Sequence, residues 1–440
     1  MTQRPLSWAG IVRLGLVQTA LGAIVVLTTS TINRIMVVEL GLAAMVPGAL
    51  VVMYHAFQTL RPRWGHGADQ SRRRTPWIIG GMAVLALGGF GAAASVAWME
   101  TELGWGLFAA TVSFVLIGLG LGASATNLLA LLAVRVAPER KPAAASIVWI
   151  MMIAGLAVTG ASAGQALSPY SPERLVLVSG IVSLVALALT VVAVWGMDTT
   201  EPEQRMIGPK PDFFAAIRDV WSDVPARNFA IFVFAAMVAY NTQDLILEPF
   251  AGHVFGMDPG QSTALAGVQH SGALLGMILV AVLGTAVGGP VLGSMRLWTI
   301  GGCIASGAAL VALGLGGMSG PDWPLQANVF ALGFANGCFA VAAIGSMMGL
   351  ASNDARGGRS PQAGLRMGVF GAAQSLGFAT GGFAGTAAVD ALRLSTDRLE
   401  VAYGSVFIVE GFVFLLAALL AARAVGAVVT APPPHAVPGE

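Results

Sequence analysis

The amino-acid sequence is broken into long apolar runs, each about as long as a helix needs to cross a bilayer, separated by short breaks rich in Pro, Gly and charge. Twelve runs can be drawn, at 14–32, 42–60, 77–98, 107–134, 143–167, 175–197, 228–247, 262–287, 297–318, 325–350, 365–388 and 403–424. In lipid every backbone N–H and C=O must find its partner within the protein, so runs of this length are read as helices. The breaks carry Pro62, Pro138 and Pro142, which lack an amide hydrogen, and glycines that cost backbone entropy. With 56% hydrophobic and 10% charged residues, the chain is expected to be an all-α integral membrane protein of twelve transmembrane helices, leaving no room for a second soluble domain.

The positive-inside rule sets the expected orientation. Of the 23 Lys and Arg, only Arg34, Arg174, Arg393 and Arg398 fall on the side opposite the termini, which places both termini in the cytoplasm. The first residues, with Arg4, Pro5 and Trp8 and no evident cleavage site, read as a retained cytoplasmic tail. Trp77, Trp98, Trp105, Trp195, Trp298 and Trp323 fall at span ends, as interface anchors do.

The longest polar stretch divides the chain into two six-helix halves, 1–197 and 228–424, joined by a linker at 198–227 and followed by a disordered tail at 425–440. Within the linker, Asp212 precedes apolar residues at helical spacing from Phe213 to Val224, either an interfacial helix on the cytoplasmic leaflet or a helix packed on the bundle. The halves share an order of residues. Glu39, Pro47-Gly48 and His55 are echoed by Glu248, Pro259-Gly260 and His270, at unequal spacing.

A net charge of +1 and the lack of basic blocks exclude nucleic acid as a partner. Cys303 and Cys338 lie inside apolar runs and read as core residues. Charge is scarce inside the spans: the fourth, fifth, eighth and tenth as drawn contain no Asp, Glu, Lys or Arg. Asp244, near the outer end of the seventh span, and Glu410, in the twelfth, are the candidates for ion or proton coupling; a lone carboxyl that is simply protonated and hydrogen-bonded is the plainer reading of Glu410.

Uncharged polar groups are better represented. His55 and Gln58 are three residues apart on the second span beside Tyr54, Gln269 and His270 lie on the eighth, Asn127 on the fourth, Asn336 on the tenth and Gln374 on the eleventh. The run from Tyr240 to Pro249, with Asn241, Gln243 and Asp244, forms a polar patch between the seventh and eighth spans that ends in an acid and a helix breaker. A neutral imidazole in an apolar bundle either hydrogen-bonds a neighbouring helix or ligates a metal through one nitrogen. Gly118 and Gly122, Gly160 and Gly164, Gly272 and Gly276, and Gly377 and Gly381 are spaced for close helix packing; a flat surface for a planar ligand is the other reading.

The loop after the second span, Gly65-His66-Gly67-Ala68-Asp69-Gln70-Ser71-Arg72-Arg73-Arg74, resembles the signature of the major facilitator superfamily in Gly65, Asp69, Arg73 and Arg74. Asp69 with an arginine would form a cytoplasmic latch, made in one conformer and broken in another. Ordinary positive-inside charge accounts for the arginines but not for Asp69. The corresponding loop of the second half, around Gly288 to Arg296, has no Asp.

Longer strings resemble the PucC and LhaA family of photosynthetic bacteria: Arg13 to Gln18, Leu27 to Leu40, Arg61 to Gly65, Arg73 to Met82, Tyr240 to Pro249, Pro259 to Thr263 and Gln269-His270. The resemblance implies a protein of the bacterial inner, photosynthetic intracytoplasmic membrane that delivers bacteriochlorophyll or chlorophyll during assembly of light-harvesting antenna complexes. It implies antenna polypeptides and a pigment synthase as partners beside the lipid bilayer, and no enzymatic reaction. Such a pigment has a flat macrocycle, an apolar tail and a magnesium with an open axial position, which a neutral histidine fits. His270 or His55 would be that ligand, with Gln58, Gln269, Asn241, Gln243, Asn127 and Gln374 as further candidates and no metal bound directly by the protein. A secondary transporter of a hydrophobic small molecule, coupled through Asp244 or Glu410, and a non-transporting assembly scaffold remain as alternatives.

Overall fold

In the computed structural model, the described residues are 6–58, 73–137, 140–197, 221–222, 224–284, 289–320, 322–352 and 363–429. Among them run twelve long helices: α1 Trp8–Glu39, α2 Met45–Gln58, α3 Thr75–Met99, α4 Leu103–Arg135, α5 Lys141–Leu167, α6 Pro172–Val194, α7 Val224–Phe255, α8 Pro259–Leu283, α9 Met295–Ser319, α10 Leu325–Ser352, α11 Ala363–Ser395 and α12 Leu399–Val429. Ten of these contain stretches long and apolar enough to cross a membrane; the other two, α2 and α11, pack against one another within the bundle. The protein is a multi-pass membrane protein.

Helix starts follow local chemistry. Proline stands in the first turn of α3, α5, α6 and α8, where its missing N–H costs nothing. Ser7, Ser171 and Asp258 cap α1, α6 and α8, and Asp258 and Gln261 complete a reciprocal capping box. Gly41 and Gly256 supply the positive φ, 63° and 65°, that turns the chain between α1 and α2 and again between α7 and α8.

Three helices run well past the runs drawn from the sequence: α1, α7 and α11, the last reaching Ser395 so that Arg393, expected in a loop, is helical. α1 reaches Glu39 through two π-helical turns, Leu27–Thr31 and Ile35–Glu39. At 32 residues it is about 48 Å long, so Arg34, expected in a loop, is inside the helix and 2% exposed. α7 does not stop at Glu248-Pro249 but continues to Phe255 with Pro249 inside it. The polar patch expected between two spans, and Asp244 expected near a span end, are therefore both within the helix. Proline cannot donate to the carbonyl four residues back, here Leu245, and Asn33 of α1 supplies that donor instead, Nδ2 to Leu245 O at 2.5 Å.

Buried apolar side chains form two large clusters, one from the first six helices with Leu245, Ala273 and Met277 added, the other from Phe229 to Ala421. Contacts between the two sets run through α5 on α8, α2 on α11, and the last turns of α1 on α7 and α8. The α5–α8 contact needs glycine: a Cβ on Gly160 would lie 2.8 Å from the Gly267 nitrogen. Gly272 and Gly276 likewise seat α8 on the backbone of α10, and Gly377 and Gly381 seat α11 on α7, so the glycine pairs serve close packing. Cys303 and Cys338 are buried and unpaired.

The two sets are also tied at the end where α1 meets α2. Arg34 donates to Glu39 at 2.5 Å and to the Met257 carbonyl before α8. The Asp390 carboxylate of α11 accepts from the Ala44 and Met45 amides at 2.9 and 2.7 Å, capping α2 across the bundle. The Ser168 hydroxyl donates to Asp258 at 3.1 Å.

Candidate functional site

The polar run of α7 is where the structure gathers the most candidates, because successive turns of one helix face α1, α8, α11 and α12. Asn241 Nδ2 donates to the Phe378 carbonyl of α11 at 2.6 Å, and the Thr242 hydroxyl to the Gly381 carbonyl at 2.9 Å. The Gln243 backbone N–H donates to Glu410 Oε1 of α12 at 2.7 Å. The Gln243 side chain is fully buried, and neither its oxygen nor its nitrogen has a hydrogen-bond partner. Asp244 accepts from Gln269 Nε2 of α8 at 3.4 Å. One turn on, Glu248 accepts from the Ser262 hydroxyl at 3.2 Å.

His55 sits on the α11 side of this run. Its ring stacks on Phe378 at 5.6 Å and 29°, Tyr54 lies 4.4 Å away, and Gln58 Nε2 meets His55 Nδ1 at 3.3 Å. Tyr240 approaches the same Phe378 ring at 6.2 Å. Gln374, one turn before Phe378, points its amide at the Met237 sulfur, 3.8 Å away. His55 and Asn241 are thus brought together at Phe378, which no sequence argument singled out, with Gln58 beside His55 and Gln374 turned to Met237.

His270 lies on the α8 side, next to Gln269. Its Nδ1 is 2.7 Å from the Ala266 carbonyl of the preceding turn. A carbonyl only accepts, so Nδ1 carries the hydrogen and the lone pair is on Nε2. This is the arrangement in which a backbone acceptor fixes the tautomer of a ligating imidazole. His55 and His270 follow the first residues of their helices, Met45 and Pro259, by ten and eleven residues, so they sit at matching heights on α2 and α8.

Other candidates are not drawn in. Asn127 donates within its own helix to the Ala123 carbonyl at 2.9 Å, and its oxygen is buried without a partner. Asn336 accepts from Ser306 at 2.7 Å, between α9 and α10. Of the expected latch, Arg73 and Arg74 precede α3, while Gly65 and Asp69 lie outside the described residues; of the expected linker helix, residues 212–220 also lie outside them, Trp221 and Ser222 are helical, and Val224 is the first residue of α7.

Sequence reasoning missed the α1 contribution. Thr31 and Thr263 share a hydrogen bond at 2.8 Å, and Asn33, Arg34 and Glu248 line the same junction. The available signals were a charge inside an apolar run and the four-residue spacing of Asp244 and Glu248, which puts both on one helix face. A further pair, His253 Nδ1 and the Tyr403 hydroxyl at 3.0 Å, joins α7 to α12.

The family described as PUCC protein matches residues 31–428. The "Bacteriochlorophyll synthase 44.5 kDa chain" of Rhodobacter capsulatus is 46% identical over 441 residues, covering 99% of this chain and 100% of that one. "Protein PucC" of Cereibacter sphaeroides is 27% identical over 389 residues, covering 83% and 80%. Among solved structures, one described as giving insights into substrate recognition in proton dependent oligopeptide transporters superposes with a TM-score of 0.67 at 13% identity, covering 96% of this chain and 100% of that one. At that identity the likeness shows the fold alone.

Proposed function

The chain belongs to the PUCC protein family, and from that premise we propose that it handles bacteriochlorophyll during assembly of photosynthetic antenna complexes, holding the pigment and passing it on without making or breaking its bonds. The names of its relatives support the pigment context. The observation that carries the ligand reading is His270: its Nδ1 is committed to Ala266, which leaves Nε2 to face the magnesium of a pigment in a bundle poor in charge. His55, stacked on Phe378, offers a second imidazole at the same height. Asn241, Gln243 and Gln269 supply amides for the polar edge of the macrocycle.

In this reading the twelve helices all cross the bacterial inner membrane with both termini in the cytoplasm, and 1–197 and 228–424 are the two moving halves. Antenna polypeptides and the pigment synthase receive and supply the pigment. Purification of the intact protein from a pigment-producing host tests the reading: bacteriochlorophyll bound in fixed ratio to protein is expected, and protein free of pigment at full yield overturns it.

A second reading follows from one observation, the synthase name of the 46% identical relative. In it the chain is a component of pigment synthesis. Deletion separates the two, since a delivery protein leaves the pigment made and a synthase component does not.

A further inference from the structure

Where α7 packs on α12, Glu410 accepts from the backbone N–H of Gln243, the residue next to Asp244, so two carboxyl-bearing side chains meet the same turn of α7. Glu410 is 3% exposed; its Oε1 accepts from the Gln243 N–H, and its Oε2 is buried with no partner. Asp244 is partly buried and accepts only the Gln269 amide at 3.4 Å. No basic side chain pairs with either among the described residues, whose ion pairs are Arg34 with Glu39 and Arg398 with Glu400.

Among the described residues no cationic side chain is bonded to either carboxyl. On α7, Tyr240 lies one turn before Asp244 and Glu248 one turn after, and Glu248 accepts from the Ser262 hydroxyl of α8. α8 presents Gln269. α9, packed on α12, carries Cys303 and, at its first turn, Arg296, which donates to the Ala422 carbonyl. The titratable residues of α11 are Arg366 near its start and Asp390 and Arg393 near its end, and α10 carries only Cys338. Two ionised carboxylates held together in an apolar core without a cation are costly, and a bound proton removes one of the charges.

We propose that Asp244 and Glu410 form a proton-binding site that sets the position of α7, so that pigment loading follows proton occupancy. Uptake forms one O–H bond on a carboxylate oxygen and cancels one negative charge; release reverses it, and no other bond changes. α7 is placed to transmit the event. The same two turns hold Asn241 on the Phe378 carbonyl beneath His55, Asp244 on Gln269 beside His270, and the Leu245 carbonyl on Asn33 of α1. Repulsion between two anions would push α7 and α12 apart and carry these contacts with it. The link to pigment rests on the reading in the preceding subsection; the proton site does not.

The test uses the full-length protein in lipid nanodiscs and two readouts. Infrared difference spectra report the carbonyl stretch of protonated carboxylic acids. A band present at neutral pH, lost on alkaline titration and diminished in both Asp244→Asn and Glu410→Gln but not in Glu400→Gln, is expected. Absence of such a band from the unsubstituted protein, or its persistence in both variants, overturns the proton site. Glu410→Gln and Asp244→Asn change shape little, and if one fails to fold the other and the unsubstituted titration still decide. Bacteriochlorophyll retained per protein is then measured across the same pH range, with a change in the unsubstituted protein and a flat profile in both variants expected. A flat profile in the unsubstituted protein overturns the linkage while leaving pigment handling intact; protein that never holds pigment overturns pigment handling and the linkage together, and the infrared band still stands or falls alone.

Discussion

The Asn33 side chain of α1 donates to the Leu245 carbonyl of α7, the oxygen that Pro249 leaves without a helical donor. The bond joins residues 212 positions apart in sequence and lets α7 pass through a proline at membrane depth, where an unmet carbonyl would be costly. Truncation of Asn33 to Leu is therefore expected to lower the thermal unfolding midpoint in detergent, the lost bond being worth about 1 kcal/mol. In a Pro249→Ala background, where the substituted residue regains a backbone N–H that can donate to Leu245, the same truncation is expected to cost much less. Equal losses in the two backgrounds would show that Asn33 does not serve this carbonyl.

His270→Phe is expected to reduce bound bacteriochlorophyll at unchanged protein yield, because Phe keeps the volume and loses the Nε2 lone pair. His55→Phe is expected to reduce it less, since the His55 Nδ1 already meets Gln58. Absorption spectra normalised to protein check both. Wild-type pigment in both variants rules out axial ligation by either histidine, and lowered yield with unchanged pigment per molecule assigns them to packing.

Breaking the Arg34–Glu39 pair from one side is expected to cost more than removing it from both. Glu39→Gln leaves a guanidinium that is 2% exposed without its carboxylate, a situation that destabilises strongly. Arg34→Met with Glu39→Gln removes the stranded charge. Unfolding midpoints that fall further in the double variant than in Glu39→Gln alone would contradict this.

Asp69→Asn is expected to impair antenna assembly with normal membrane insertion, since it would remove the carboxylate that the latch reading pairs with an arginine and leaves the basic count unchanged. Full antenna levels in that variant, read from membrane absorption, would remove the latch from the account.

Deletion of the gene is expected to lower antenna complexes without abolishing bacteriochlorophyll. Pigment extracted from whole cells and antenna absorbance in membranes measure the two separately. Loss of all pigment with an intact synthase would favour the synthase-component reading.

Most helix positions were legible because a bilayer leaves few options: a run of about 20 apolar residues must hydrogen-bond its own backbone. Proline in the first turns and serine or aspartate before them marked several starts. Where a polar residue interrupted a run, the rule misled. Arg34 and Pro249 both read as ends, yet α1 and α7 pass through them, because Glu39 and Met257 receive the arginine and Asn33 serves the carbonyl that the proline abandons.

The candidate site divides in the same way. The types and depths of His55, His270 and Glu410 were readable from their places in the runs, since a polar residue is expensive there and stands out, whereas Asn241, Gln243 and Asp244 read as a span end and lie within α7. Their partners were not, because each is supplied by a different helix. Phe378 under His55, Gln269 on Asp244 and the Gln243 amide on Glu410 are contacts made by helix packing. Sequence by itself determined that the chain crosses a membrane as a helical bundle and which side chains are costly inside it, since both follow from the solvent. Only the tertiary structure decided which of those side chains meet, because hydrogen bonds and charge pairs act over a few ångströms and depend on how helices far apart in the chain are packed together.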